Sequence, residues 1–185
     1  MVRGRLCFRG VAVFLAGCSI LALLVFSGCA RKYDDARALF DEFCSVYGEL
    51  PAGKLYSSEA SEWEKDYLPD SVVYSMYGAS DGVYGGEGDD SGASAYDYVE
   101  ESVIYLCSSL DTFCELAVFI CRDNTSTQAV AKMCHARIGE VLALRQLIDT
   151  ECAENARVVV IGNAVIMAVL PNAKKVETAI TTLTR

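Results

Sequence analysis

The chain has 185 residues, with 16 Lys+Arg against 25 Asp+Glu and a formal charge of −9. Three basic residues, Arg3, Arg5 and Arg9, precede an apolar stretch, so the 157 residues after position 28 carry 13 basic and 25 acidic side chains, a net of −12. So acidic a surface excludes nucleic acid and anionic lipid headgroups as natural partners, and the length fits one ordinary domain with a real core.

Val11 to Phe26 is uncharged and mostly apolar, and the sequence continues Ser27-Gly28-Cys29. A positive start, an apolar stretch and small residues before a cysteine are the parts of a bacterial export signal ending in a lipobox. Residues 1–28 are therefore expected to be a lipoprotein signal peptide. Cys29 would carry the lipid and hold the mature chain on the extracytoplasmic face of the cell membrane. Phe26 is a departure, since Leu is usual at that position. Leu15-Ala16-Gly17-Cys18 matches the motif more closely, but a cut there leaves a very short apolar region and an oily new N-terminus from Ile20 to Phe26. An uncleaved anchor is the other alternative, because Gly10 to Ala30 is about the 20 residues that a spanning helix needs. The arginines before it would then keep the N-terminus inside. Lipidation and anchoring place the globular part on the same side.

From Arg31 to Tyr47, charged residues alternate with Ala36, Leu39, Phe40, Phe43 and Val46, the spacing of an amphipathic helix ended by Gly48 and Pro51. Residues 29–49 are expected to act as a membrane-proximal helical spacer ahead of a single α+β domain at 50–185. Leu50 to Tyr67 is polar with isolated aromatics and no firm period. A short helix is expected over Ser71 to Tyr77, with Pro69 before it and Gly78 at its end. Residues 78–95 are rich in Gly, Ser and Asp, with little to bury, and read as a mobile loop. Glu87-Gly88-Asp89-Asp90-Ser91-Gly92 offers carboxylates on a turning backbone, as calcium requires, but matches no EF-hand spacing. A solvated acidic linker is the commoner arrangement.

Val99 to Cys107 and Glu115 to Cys121 are rich in β-branched and aromatic residues and are separated by residues 108–112, the pattern of a hairpin. Thr125 with Gln128 has capping-box spacing. The helix that follows places Val130, Cys134, Ile138, Val141 and Leu142 on one side and extends towards Leu147. Arg157 to Ile161 and Ala164 to Leu170 flank Gly162-Asn163, a hairpin turn pair. Ala173 to Leu183 closes the chain as a helix with Val176, Ala179, Ile180 and Leu183 inward. Two hairpins, each followed by a helix, suit a small antiparallel sheet with both helices on one face. The unbroken apolar run Val158 to Ile161 suggests that the second hairpin is central.

Six cysteines remain once the signal and Cys29 are set aside: Cys44, Cys107, Cys114, Cys121, Cys134 and Cys152. Fifteen pairings are possible. Cys107 and Cys114 flank a turn and can face each other, whereas most of the six sit in apolar patterns where Cys acts as a small hydrophobe.

Candidate chemistry is sparse. His135, the one histidine, adjoins Cys134 on a helix, but neighbouring helical residues point about 100° apart and cannot form a nucleophile–base pair alone. Cys121, Cys134 and His135 fit no common zinc spacing. Asn124-Thr125-Ser126 satisfies a glycosylation sequon and reads better as a helix cap. Asp111, Glu100, Glu101 and Glu115 are not paired by any motif. Tyr47, Tyr56, Trp63, Tyr67, Tyr74 and Tyr77 gather in the first half, where they can cover the sheet, line a ligand groove or face a partner. No catalytic, cofactor or metal residue is assigned. The expected role is a non-enzymatic interaction module for another envelope protein or for a second copy of itself, with solute binding as the alternative.

Several short motifs carry a family resemblance. They are Leu50-Pro51-Ala52-Gly53 with Tyr56, Tyr67-Leu68-Pro69 leading to Met76-Tyr77-Gly78, Glu115-Leu116-Ala117-Val118-Phe119, Ala136-Arg137-Ile138 and Gly162-Asn163-Ala164-Val165. In these the chain resembles a family of uncharacterised lipoproteins of Gram-positive, mainly clostridial, bacteria, a domain of unknown function. The resemblance implies a secreted, lipid-anchored α+β domain. Glu115 and Arg137, the two charged residues within those motifs, are expected to form a structural ion pair.

Overall fold

The computed structural model describes residues 32–78, 94–108, 113–144 and 149–185. Outside them lie the expected signal 1–28 with Cys29, the interior of the Gly/Asp-rich loop with its calcium candidate at residues 87–92, and most of the turn at 108–112. The expected extension of a helix to Leu147 lies outside them as well.

The elements run α1 (Ala36–Tyr47), β1 (Gly53–Ser57), α2 (Asp70–Tyr77), a 3-10 turn (Ala95–Tyr98), β2 (Val99–Cys107), β3 (Glu115–Cys121), α3 (Thr127–Ala143), α4 (Glu151–Glu154), β4 (Arg157–Ile161), β5 (Ala164–Val169) and α5 (Ala173–Leu183). The fold is α+β. Its five strands pair antiparallel in the order β1-β2-β3-β5-β4.

Every residue of β3 and of β5 is buried, so both faces of the sheet centre are covered. Alternate side chains of β3 leave on opposite sides. Leu116 lies opposite Tyr105 of β2, whose ring meets Phe40 of α1 at 6.4 Å, and α5 packs beside α1. Glu115 and Phe119 turn the other way, to Tyr77 of α2 and Arg137 of α3. The helices after the two hairpins therefore lie on opposite faces, not on one as expected. Continuously apolar strands need cover on both sides, and one pair of helices on a single face cannot supply it.

Three further expectations are corrected. The first is the spacer. α1 buries Ala36, Leu39, Phe40, Phe43 and Tyr47, so it is a core element of the domain. Its first turn is closed twice: the Asp35 side chain accepts from Ala38 N at 2.8 Å, and Glu101 from β2 accepts from Ala36 N at 3.0 Å.

The second is the region after Leu50, which contains an edge strand. β1 shows only Leu55 and Tyr56 as apolar residues, too few for a period. Gly53 is required there, since a Cβ would come within 2.7 Å of the Tyr105 ring and closer still to the Leu106 carbonyl.

The third is the second hairpin, whose β4 is an edge and not a centre. Ile161 pairs with Ala164 across the two-residue loop. Gly162 has φ 61°, the left-handed value that a hairpin turn with glycine first requires.

The cap of α3 also differs from the sequence pattern. Ser126 precedes the helix without a side-chain cap. Asp123 instead accepts from the backbone N–H and hydroxyl of both Thr125 and Ser126, at 2.6–2.9 Å. These bonds hold its carboxyl down at about 2. At α5 the left-handed Asn172, φ 65°, follows Pro171 and accepts from Lys175 N at 3.2 Å.

Candidate functional site

Glu115 opens β3 with none of its surface exposed. One carboxylate oxygen accepts from the Tyr77 hydroxyl. The other faces Arg137 Nε and Nη2, each at 3.4 Å. Arg137 keeps 18% of its side-chain surface, reaches Glu140 at 3.9 Å and lies over the Phe113 ring at 5.2 Å. The ion pair expected between Glu115 and Arg137 is therefore present. Burial pushes the Glu115 carboxyl up to about 7, against the lowering pull of Arg137. The cluster can exchange a proton near neutral pH, but no substrate can reach the fully enclosed carboxylate. Its work is to fasten the start of β3 to α2 and α3.

Cys134 is fully buried and His135 is exposed, so the two do not meet. Burial raises the thiols of Cys134 and Cys121, the latter to about 11, which keeps both protonated and unreactive. Among the described residues no group of three His, Cys, Asp or Glu is placed to hold a metal ion. Cys107 and Cys114 form a disulfide with Cα atoms 5.4 Å apart, while Cys44, Cys121, Cys134 and Cys152 are free thiols. Of the pairings left open by the sequence, the one across the hairpin is made.

The aromatic group of the first half divides. Tyr47 and Tyr77 join the core, Tyr47 donating to the Pro171 carbonyl at 2.6 Å. Trp63 is 92% exposed. Tyr56 and Tyr67 line a cleft between β1, β2 and α2, and Tyr96 of the 3-10 turn supplies a third wall. Asp70 and Ser102 add polar groups, and the cleft leaves about 30 Å³ for the centres of water-sized molecules. Tyr96 and Ser102 hydroxyls bond at 3.0 Å. Tyr96 was missed in the sequence because it stands at the end of a glycine-rich stretch with no period to mark it.

The sequence marks Asn163 only as a turn residue. Its side chain is buried and grips the main chain of Tyr33, accepting from N at 2.7 Å and donating to O at 2.9 Å. The same amide also donates to Cys121 O at 3.2 Å. No sequence pattern announces a contact across 130 positions.

The sheet edge at β4 is the other surface of note. Val158, Val159 and Val160 are half-buried, and among the described residues no strand pairs on their outer side. Searches of family models, of curated proteins and of solved structures find no match to the chain. No described helix is long and apolar enough to cross a membrane.

Proposed function

We propose that the chain is a lipoprotein, tethered through a lipid on Cys29 to the extracytoplasmic face of the cell membrane. There its α+β domain acts as a non-enzymatic module that docks an extended segment of another envelope protein. The observation that carries the docking is the open apolar edge of β4. Folded sheets ordinarily guard an edge with lysine, proline, a bulge or a covering loop. The opposite edge is guarded: β1 carries Lys54, and Ser57 N donates to Asp66 O of the following turn at 3.1 Å. β4 begins with the exposed Arg157 but continues in three consecutive valines, and among the described residues no strand pairs outside them.

The hairpin geometry says which groups are on offer. Ile161 and Ala164 flank a two-residue loop and exchange both hydrogen bonds, as do Val159 and Ile166. The N–H and C=O of Val158 and Val160 therefore point away from β5. A partner strand can meet them as a sixth strand, with the valine side chains giving apolar contact.

The exported setting is favoured by the order of residues in the signal and by the Cys107–Cys114 bridge, a bond that persists in oxidising compartments. Solute binding is the weaker reading, since the aromatic cleft is far below the roughly 300–1,000 Å³ of a small-molecule pocket.

Photo-cross-linking from position 159 in cells, followed by mass spectrometry of the membrane fraction, tests the proposal. It should recover one envelope protein repeatedly, and Val158→Pro should abolish the capture. Proline there removes only an outward donor, so the β4–β5 ladder stays intact. Capture unchanged by Val158→Pro, or cytoplasmic proteins alone, would overturn the docking. The N-terminal peptide should carry acyl mass on Cys29, and a chain still beginning at Met1 would overturn the lipid attachment.

A further inference from the structure

The geometry points to the Tyr56–Tyr67–Tyr96 cleft as a binding site for an alkylammonium group, of the kind carried by a lysine side chain or a free polyamine. It stands apart from the β4 edge and does not depend on it.

Three features of the cleft converge on that chemistry. The walls are phenol rings, whose faces attract cations. Val73 and Ile104 also line the cleft, but at 4% and 2% exposure they add little open surface. Asp70 lines the same space, and its exposed carboxylate supplies the counter-charge. The volume of about 30 Å³ holds one or two waters, which is the scale of a single ammonium head and too small for a whole solute.

The surroundings carry the matching sign. The turn over residues 58–67 bears Glu59, Glu62, Glu64 and Asp66 against the lone Lys65. Burial raises the pKa of the Tyr96 phenol, and the field of Asp70 raises it further, so this carboxylate acts on the cleft wall. One ring of the group already seats an ammonium. Lys54 Nζ lies 4.5 Å from the centroid of Tyr56, an internal example of the contact that the cleft can offer to an external cation. Lys54 is exposed and does not itself line the cleft.

Neutral polyhydroxylated ligands fit less well. The serine hydroxyls of the cleft are already engaged, Ser102 with Tyr96 and Ser58 with Ser102 N at 2.8 Å. The rings of Tyr56 and Tyr67 and the exposed carboxylate of Asp70 are the cleft groups that bear on a cation.

The test titrates the full chain, in detergent, with cadaverine, with acetyl-Gly-Lys-Gly-amide, and with the same peptide carrying norleucine. Tyrosine ring resonances and the fluorescence of Trp63, which lies between Ser58 and Tyr67 in sequence, report binding. The two amines should saturate with a Kd on the order of 1 mM. The norleucine peptide, having the stem without the charge, should bind at least tenfold more weakly. Asp70→Asn and Tyr67→Leu should each weaken the amines roughly threefold to thirtyfold. Tighter binding of the lysine peptide assigns the site to a partner's side chain, and tighter binding of cadaverine assigns it to a free amine. Equal binding of the norleucine peptide, an Asp70→Asn chain that binds unchanged, or no saturable shift up to about 50 mM would overturn the site.

Discussion

Arg137 holds its guanidinium 3.4 Å from the carboxylate of Glu115, and of the two only Arg137 touches water. The pair joins the first residue of the central strand to α3, and Tyr77 brings α2 to the same carboxylate. A buried charge is tolerated when it is paired and hydrogen-bonded, and becomes costly when its partner is removed.

Arg137→Met should therefore destabilise the fold by about 3–5 kcal/mol at pH 8. At pH 5 the loss should be much smaller, because a protonated Glu115 needs no cation beside it. Urea unfolding of the variant at both pH values checks this. An equal loss at each would mean that the guanidinium acts by packing on Phe113 and not by charge.

The wild-type pH profile carries the same signature. Glu115 has its carboxyl raised to about 7 in the folded chain by burial, against an ordinary value near 4.5 when unfolded. Between those values the folded state binds the extra proton, so stability is full below about 4.5 and falls as pH rises towards 7. The fall attributable to this group is about 3 kcal/mol. Glu115→Gln should flatten that part of the profile, and a profile unchanged by the substitution would remove Glu115 as its source.

Asn163→Ala should remove the two hydrogen bonds that Asn163 makes to the main chain of Tyr33 and the one it donates to Cys121 O. The expected loss is about 2–3 kcal/mol, with the amide of Tyr33 losing its protection from hydrogen exchange. Asn163→Asp should not restore it, since a carboxylate can accept from Tyr33 N but cannot donate to Tyr33 O.

Gly53→Ala forces a methyl group against the Tyr105 ring and a carbonyl oxygen. β1 should detach, with faster hydrogen exchange from Gly53 to Ser57, while β3 and β5 remain protected. Uniform loss of protection across the sheet would show that β1 is part of the cooperative core.

Reducing the Cys107–Cys114 bridge opens a loop with sequence separation 7. Loop-closure entropy alone gives about 2–3 kcal/mol of destabilisation. Alkylation in denaturant should label four further cysteines among the described residues before reduction and six after it.

Periodic features were legible in the sequence. The apolar stripes of α1 and α5, the hairpin about Gly162-Asn163 and the two long strands all appear where the pattern placed them, because each repeats its own burial. The Glu115–Arg137 pair was expected only because these are the two charged residues within the motifs that carry the family resemblance. What escaped depends on tertiary context. β1 is a strand because β2 receives it, not because Gly-Lys-Leu-Tyr-Ser has a period. Val158 to Val160 suggested a central strand, since an unbroken apolar run is the usual mark of one, yet an edge can carry the same run. The gathering of Tyr96 with Tyr56 and Tyr67 needs the register of β1 on β2 and the placing of α2, which no local pattern encodes.

The grip of Asn163 on Tyr33 has a mechanical consequence. Tension drawn along the chain from residues before Tyr33 reaches that clamp before it reaches α1. Through the same amide and the Asn163 carbonyl, which accepts from Cys121 N at 2.8 Å, the load passes to the ends of β3 and β5. Force thus enters the sheet at its two most deeply buried strands. The first helix is shielded from being peeled away, and a pull applied ahead of Tyr33 is borne by two fully buried strands.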